Sequence, residues 1–109
     1  MKVYVSGPMA LGDMAENLRE AMRCGAALIG EGHAPYIPQL SFFLNVHYPI
    51  SYERWIKTDL EWVKCCQALI RLPGASSGAE REIEAAHHFS IPVFYGLEHF
   101  LDAHRNKVI

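Results

Sequence analysis

Apolar residues along this chain recur with two different periods, and the switches between them outline its elements. Lys2-Val3-Tyr4-Val5-Ser6 is a short run of the kind that forms a buried strand, and Gly7-Pro8 ends it. A loop follows to Asp13. There Asp13-Met14-Ala15-Glu16 has the form of a capping box, an acceptor side chain followed three residues later by glutamate. The spacing predicts a helix from Met14 to about Ile29, with Leu18, Ala21, Met22, Gly25 and Leu28 on its inner side and Gly30 and Gly32 as stops. His33 to Pro38 reads as a second strand, weakened by its prolines. Gln39 to Tyr52 holds Phe42, Phe43, His47, Tyr48 and Tyr52 without a clean period. It reads as a long loop with room for a helical turn, and such loops in compact domains often serve as lids.

Helical spacing returns from Glu53 to Cys66, with Ile56, Leu60 and Val63 on one side. Ala68 to Leu72 is a third strand, and Pro73-Gly74 turns the chain into a helix from Ser77 to Phe89. Ile91 to Tyr95 is a fourth strand, and Leu97 to His104 a closing helix. Strands alternating with helices predict an α/β fold with a parallel sheet and right-handed crossovers. Ligands of such open sheets sit beyond the carboxyl ends of the strands, here Ser6-Gly7-Pro8, Ile37-Pro38 and Leu72-Pro73-Gly74.

Composition narrows the partners. A chain of 109 residues implies one domain over residues 1–109. The net charge of −2, with no basic block, argues against a nucleic-acid polymer as partner. Cys24, Cys65 and Cys66 make an odd and partly adjacent set, a poor disulfide framework, and no Cys/His spacing fits zinc. His87 and His88 point about 100° apart on their helix and do not converge on one metal, and His47 stands alone, so neither metal nor cofactor is expected. No run reaches membrane-spanning length, and the opening is too short for a signal peptide, so a reduced, cytoplasmic protein is expected.

The stretch Ser76–Phe89 carries the candidate chemistry. Ser77 has the character of an N-cap, with Glu80 at the reciprocal position. On a wheel of about 100° per residue, Glu82 lies among Gly78, Ala79, Ala85, Ala86 and Phe89, while Glu80, Glu84 and His87 point away. An inward carboxylate needs an internal partner, such as an arginine, a tyrosine or backbone amides, or it serves a reaction. The wheel leaves both open. Tyr4 on the first strand has a hydroxyl able to orient such a group. Asp59 sits at the edge of its helix's apolar stripe, as a site residue or as a boundary residue paired with Lys57 or Lys64. The turn after Ser6 offers backbone N–H groups to an anion.

Together, "VYVSGPM" and "DLEWVKCCQALIRLPGASSGAEREIEAA" resemble the nucleoside 2-deoxyribosyltransferase-like superfamily, in particular its small phage and bacterial branch DUF4406, over Lys2 to about Tyr95. The resemblance implies a small doubly wound, flavodoxin- or Rossmann-like parallel sheet of four to five strands with helices on both faces. It implies glycosidic cleavage through a glutamate nucleophile at Glu82, with Tyr4 hydrogen-bonded to it and Asp59 binding or protonating the leaving base. Ser6, Gly7, Pro8 and Met9 would line the sugar or phosphate end, and Ser76, Ser77 and Gly78 the 5′-phosphate. The aromatic loop from Phe42 to Tyr52 would stack on the base. Ser76 replaces an acidic residue of the transferases, Glu84 a glycine, and Gln67 a second aspartate, which suits a nucleotide hydrolase better than a transferase. The expected partner is therefore a small nucleoside or nucleoside 5′-monophosphate. The alternative is a non-catalytic nucleotide-binding or sensing module. Relatives commonly pair subunits, so a homodimer or larger homo-oligomer is expected.

Overall fold

The computed structural model describes residues 1–105, and residues 106–109 of the expected domain lie outside the described part. Four strands, β1 (Lys2–Ser6), β2 (Ala34–Tyr36), β3 (Ala68–Arg71) and β4 (Val93–Tyr95), form one parallel sheet in the order β2-β1-β3-β4. Pro35 pairs against Val3 in β2, an edge strand, where a missing N–H costs no ladder bond on the open side. Five helices connect and cover the sheet: α1 (Met14–Gly30), α2 (Phe42–His47), α3 (Tyr52–Cys65), α4 (Ser77–His88) and α5 (Leu97–Arg105).

Period-two alternation along β1 divides the core. Val3 and Val5 join Ala21, Cys24 and Leu28 of α1 and Phe100 and Leu101 of α5 on one face. Tyr4 joins Val63 of α3 and Ile83 and Ala86 of α4 on the other. Each fully buried valine or leucine removes enough apolar surface to favour folding by roughly 1.5–3 kcal/mol. The sheet is therefore sandwiched by helices on both faces, as a parallel sheet with short crossovers requires.

Two local expectations change and one holds. Met22 is exposed and Cys24 takes its place on the inner side of α1, because the buried stripe passes through Ala21, Cys24, Gly25 and Leu28. Asp13 caps α1 as expected, accepting from the Glu16 N–H at 3.1 Å. The segment from Gln39 to Tyr52 is mostly ordered rather than loop. A 3-10 turn (Pro38–Ser41) leads directly into α2, and only residues 48–51 link α2 to α3. The aromatic residues of that segment hid its helical character, because α2 buries no complete face: Phe43, Leu44 and Val46 are all exposed.

Candidate active site

The chain leaves β1 for α1 on one face of the sheet and leaves β3 for α4 on the other, so a crevice opens beyond the carboxyl ends of these neighbouring strands, the usual ligand position in such sheets. Tyr4 and Ser6, two residues apart, share the face of β1 that meets α4. Glu82 of α4 lies beneath them, only 5% exposed. The Tyr4 hydroxyl donates to Glu82 Oε2 at 2.7 Å, and the Ser6 hydroxyl donates to Glu82 Oε1 at 2.7 Å. Both of its partners are neutral hydroxyls.

The helix start differs from expectation. Ser76, not Ser77, is the N-cap of α4, and its hydroxyl accepts from the Ala79 N–H at 3.0 Å. Glu80 therefore makes no reciprocal cap and instead meets Arg71 at 3.4 Å. Arg71, on β3, also donates to the Leu72 and Gly74 carbonyls, which holds the turn before α4. Gly74 has φ +112°, and a Cβ there would come within 2.9 Å of Pro8, so the β1–α1 and β3–α4 loops close against each other only with glycine at this position. Ala79, Glu82, Ile83 and Ala86 form the buried side of α4, while Phe89, expected inward, is exposed together with Glu84, His87 and His88.

Glu82 and Asp59 line one cavity of about 530 Å³, within the size range of small-molecule sites. Gly7, Pro8, Met9, Ser76, Ser77 and Gly78 also line it, so eight of the ten expected site residues border one space, all but Tyr4 and Ser6. Tyr4 and Ser6 reach this space through Glu82.

Helix α3 contributes Tyr52, Trp55, Ile56 and Asp59, a stripe at helical spacing along one wall. Asp59 is buried, and no Lys57 or Lys64 partner reaches it: Lys64 pairs with Glu61 at 2.8 Å, and Asp59 Oδ1 has no hydrogen-bond partner among the described residues. Gly78 lets α3 approach α4, for a Cβ there would stand 3.2 Å from Ile56 and 3.4 Å from the Tyr52 hydroxyl.

Several lining residues escaped the sequence reading. Gln39 is almost wholly buried, with its amide N–H facing the Gly7 carbonyl at 3.4 Å and its Oε1 unpartnered among the described residues. Asn45 of α2 accepts from the Trp55 indole at 2.8 Å and from the Ile50 N–H at 2.9 Å, so it fastens α2 to α3. Asn17 donates to the Met9 and Leu11 carbonyls and pins the opposite rim. Of the expected aromatic segment, Phe43 and Tyr48 are exposed, while Tyr52 lines the cavity beside Trp55, which lies outside that segment. Gln67, aligned above with a second aspartate, accepts from the Lys2 N–H at the opposite, amino end of β1. The only early signal for Trp55 was its spacing from Asp59, and for Gln39 none.

Burial shifts the ionisable groups. Desolvation raises the Glu82 carboxyl above the usual range, opposed by the two hydroxyl donors and the charge of Arg71. Desolvation, then the charge of Glu82, pushes Asp59 up to about 7. The Tyr4 hydroxyl is raised well above its ordinary value by burial and by Glu82, so it stays a donor. Two carboxyl groups in one cavity thus differ in surroundings, one doubly hydrogen-bonded and the other unpartnered at one oxygen. Among the described residues, no three His, Cys, Asp or Glu side chains converge in a way suited to a metal.

The four-stranded parallel sheet with its helices has the fold of solved 2-deoxyribosyltransferase structures. A 2-deoxyribosyltransferase from the psychrotolerant bacterium Bacillus psychrosaccharolyticus superimposes with a TM-score of 0.70 at 23% identity, covering 87% of this chain and 71% of that one. One from Leishmania mexicana superimposes with a TM-score of 0.63 at 17% identity, covering 86% of this chain and 62% of that one. The chain belongs to the family described as a domain of unknown function, DUF7768, whose model matches residues 1–96. The family that matches is thus DUF7768 and not the DUF4406 branch expected from the opening motif. A comparison with curated proteins finds no match.

Proposed function

We propose that this protein cleaves the N-glycosidic bond of a 2-deoxynucleoside or its 5′-monophosphate, with Glu82 as nucleophile. The observation that carries the reading is the Glu82 carboxylate itself, buried, oriented by neutral hydroxyls, and bordering a cavity of about 530 Å³. A charge so placed stabilises an oxocarbenium-like centre, and in a desolvated site this interaction gains strength. In the first step a Glu82 oxygen bonds to the anomeric carbon. The carbon–nitrogen bond breaks, its electron pair passes to the base, and protonated Asp59 supplies the proton. In the second step water attacks the same carbon, the ester bond returns its electrons to Glu82, and the water proton goes to Asp59. Asp59, titrating near 7, is suited to both roles. A second base in place of water makes the reaction a transfer.

Ser76, Ser77 and Gly78 at the start of α4 are suited to an anionic 5′ end, since the first turn of a helix has free N–H groups. The exposed Phe43, Leu44, Val46 and Tyr48 support assembly of two or more copies, and three free cysteines suit a reducing compartment such as the cytoplasm. No described helix is long and apolar enough to cross a membrane.

The test is incubation with a panel of 2-deoxynucleosides and their monophosphates, followed by chromatography for free base. Glu82→Gln should lower release by at least about a thousandfold while a ligand-induced thermal shift persists. A binding module would instead show the thermal shift with no release from either protein. Release that survives the substitution removes Glu82 from the reaction.

A further inference from the structure

We propose that Ser6 is a positioning residue for Glu82 and does not contact the sugar. This rests on the reading of Glu82 as nucleophile. Ser6 is fully buried, and its hydroxyl donates to Glu82 Oε1 at 2.7 Å, whereas Tyr4 holds the other oxygen, Oε2, at the same distance. One donor on each oxygen fixes both the position and the rotation of the carboxylate plane. A single donor would leave it free to turn about that bond. An ionised carboxylate has about four lone-pair sites, so two remain to face the cavity.

The strand explains why the pair exists. Residues 4 and 6 of β1 point to the same face, and the next residue is Gly7, where the chain leaves the sheet. Ser6 is therefore the last side chain of β1 aimed at α4. Its backbone carbonyl is held as well, accepting from the Leu72 N–H at 2.7 Å. The hydroxyl is thus mounted on a backbone fixed by β3, and its small size leaves one short reach, to Glu82.

The chemical consequence falls on the second step. Hydroxyl donors stabilise charge on the carboxylate. When the glycosyl ester breaks, the electron pair of the carbon–oxygen bond returns to Glu82, and the donor on that carboxyl group favours departure. Without Ser6 the carboxylate is more basic. It attacks as well or better once ionised, and leaves more slowly.

Two measurements on the full chain test this. The first is titration of Glu82 by carbon NMR of glutamate-labelled protein, with its signal identified by its loss in Glu82→Gln. Ser6→Ala should raise the midpoint by about one pH unit, which corresponds to loss of one hydrogen bond to a charged group. Ser6→Thr, which keeps the hydroxyl, should restore it. An unchanged midpoint in a folded Ser6→Ala protein overturns the proposal.

The second measurement is kinetic, with acid quench and intact-protein mass spectrometry to read the fraction of protein carrying the sugar. Ser6→Ala should lower kcat about tenfold with a parallel fall in KM, and the sugar-bearing fraction should rise. A raised KM at unchanged kcat would make Ser6 a sugar contact and overturn the proposal. If the parent protein releases no base from any substrate, the nucleophile reading fails, and the titration by itself then decides whether Ser6 positions the carboxylate.

Discussion

Replacing Asp59 by asparagine isolates the cost of holding an ionised carboxylate inside the cavity. Asp59 is 9% exposed, its Oδ1 has no partner among the described residues, and burial together with Glu82 moves its titration from the ordinary 3.8 to about 7. At about 1.36 kcal/mol per pH unit, that displacement corresponds to roughly 4 kcal/mol, and water entering the cavity brings a working figure to about 2–4 kcal/mol. The sign is set by proton binding. Between 3.8 and about 7 the folded protein holds a proton that the unfolded chain releases, so stability falls as pH rises through this window and levels above it. Asparagine has nearly the same shape and does not ionise. Urea denaturation from about pH 4 to about pH 9 should therefore show the Asp59→Asn protein equal to the parent within about 1 kcal/mol at the acidic end, and more stable by about 2–4 kcal/mol at the alkaline end. The Glu82 carboxyl adds its own fall with pH to both curves, so it is the difference between them that carries the information. Parallel curves over the whole range would refute the reasoning, because they would mean that Asp59 ionises in the folded protein as readily as in the unfolded chain.

Other perturbations have equally direct readouts. Tyr4→Phe removes a buried donor to a carboxylate and should cost about 1.5–3 kcal/mol by urea denaturation at alkaline pH, and less at acid pH where Glu82 is neutral; an identical loss at both ends would show that the bond is indifferent to charge. Ser76→Ala removes the cap of α4 and should cost about 1 kcal/mol, seen as a fall in Tm of roughly 4–8 °C, whereas Ser77→Ala should have little effect on stability. If both substitutions act equally, the cap is misplaced. Phe43→Asp, on the exposed side of α2, should convert an assembled species to monomer in sedimentation without loss of helix content by circular dichroism. A parent protein that already sediments as a monomer removes that surface from consideration.

Much of the molecule was legible along the chain because its signals are local. The Asp13 cap, the short buried run of β1, the inward phase of Glu82 and the turn at Pro73-Gly74 each depend on residues within a turn or two of one another. The failures are also physical. Ser76 and Ser77 are equally good caps by type, and the turn held by Arg71 selects the first. Helix α2 has no buried residue, so no periodic stripe marks it.

Which residues meet was decided by tertiary structure. The sequence by itself determined a parallel α/β sheet and an acid on the inward side of its third long helix. Only the fold brought Tyr4 and Ser6 onto opposite oxygens of that acid, across separations of 78 and 76 residues. Only the fold left Asp59 and Gln39, which line one cavity, each with a buried oxygen that has no partner among the described residues. Hydrogen-bond geometry and desolvation depend on what lies within a few ångströms, and for these groups those neighbours come from strands and helices far apart in the chain, packed together by the sheet.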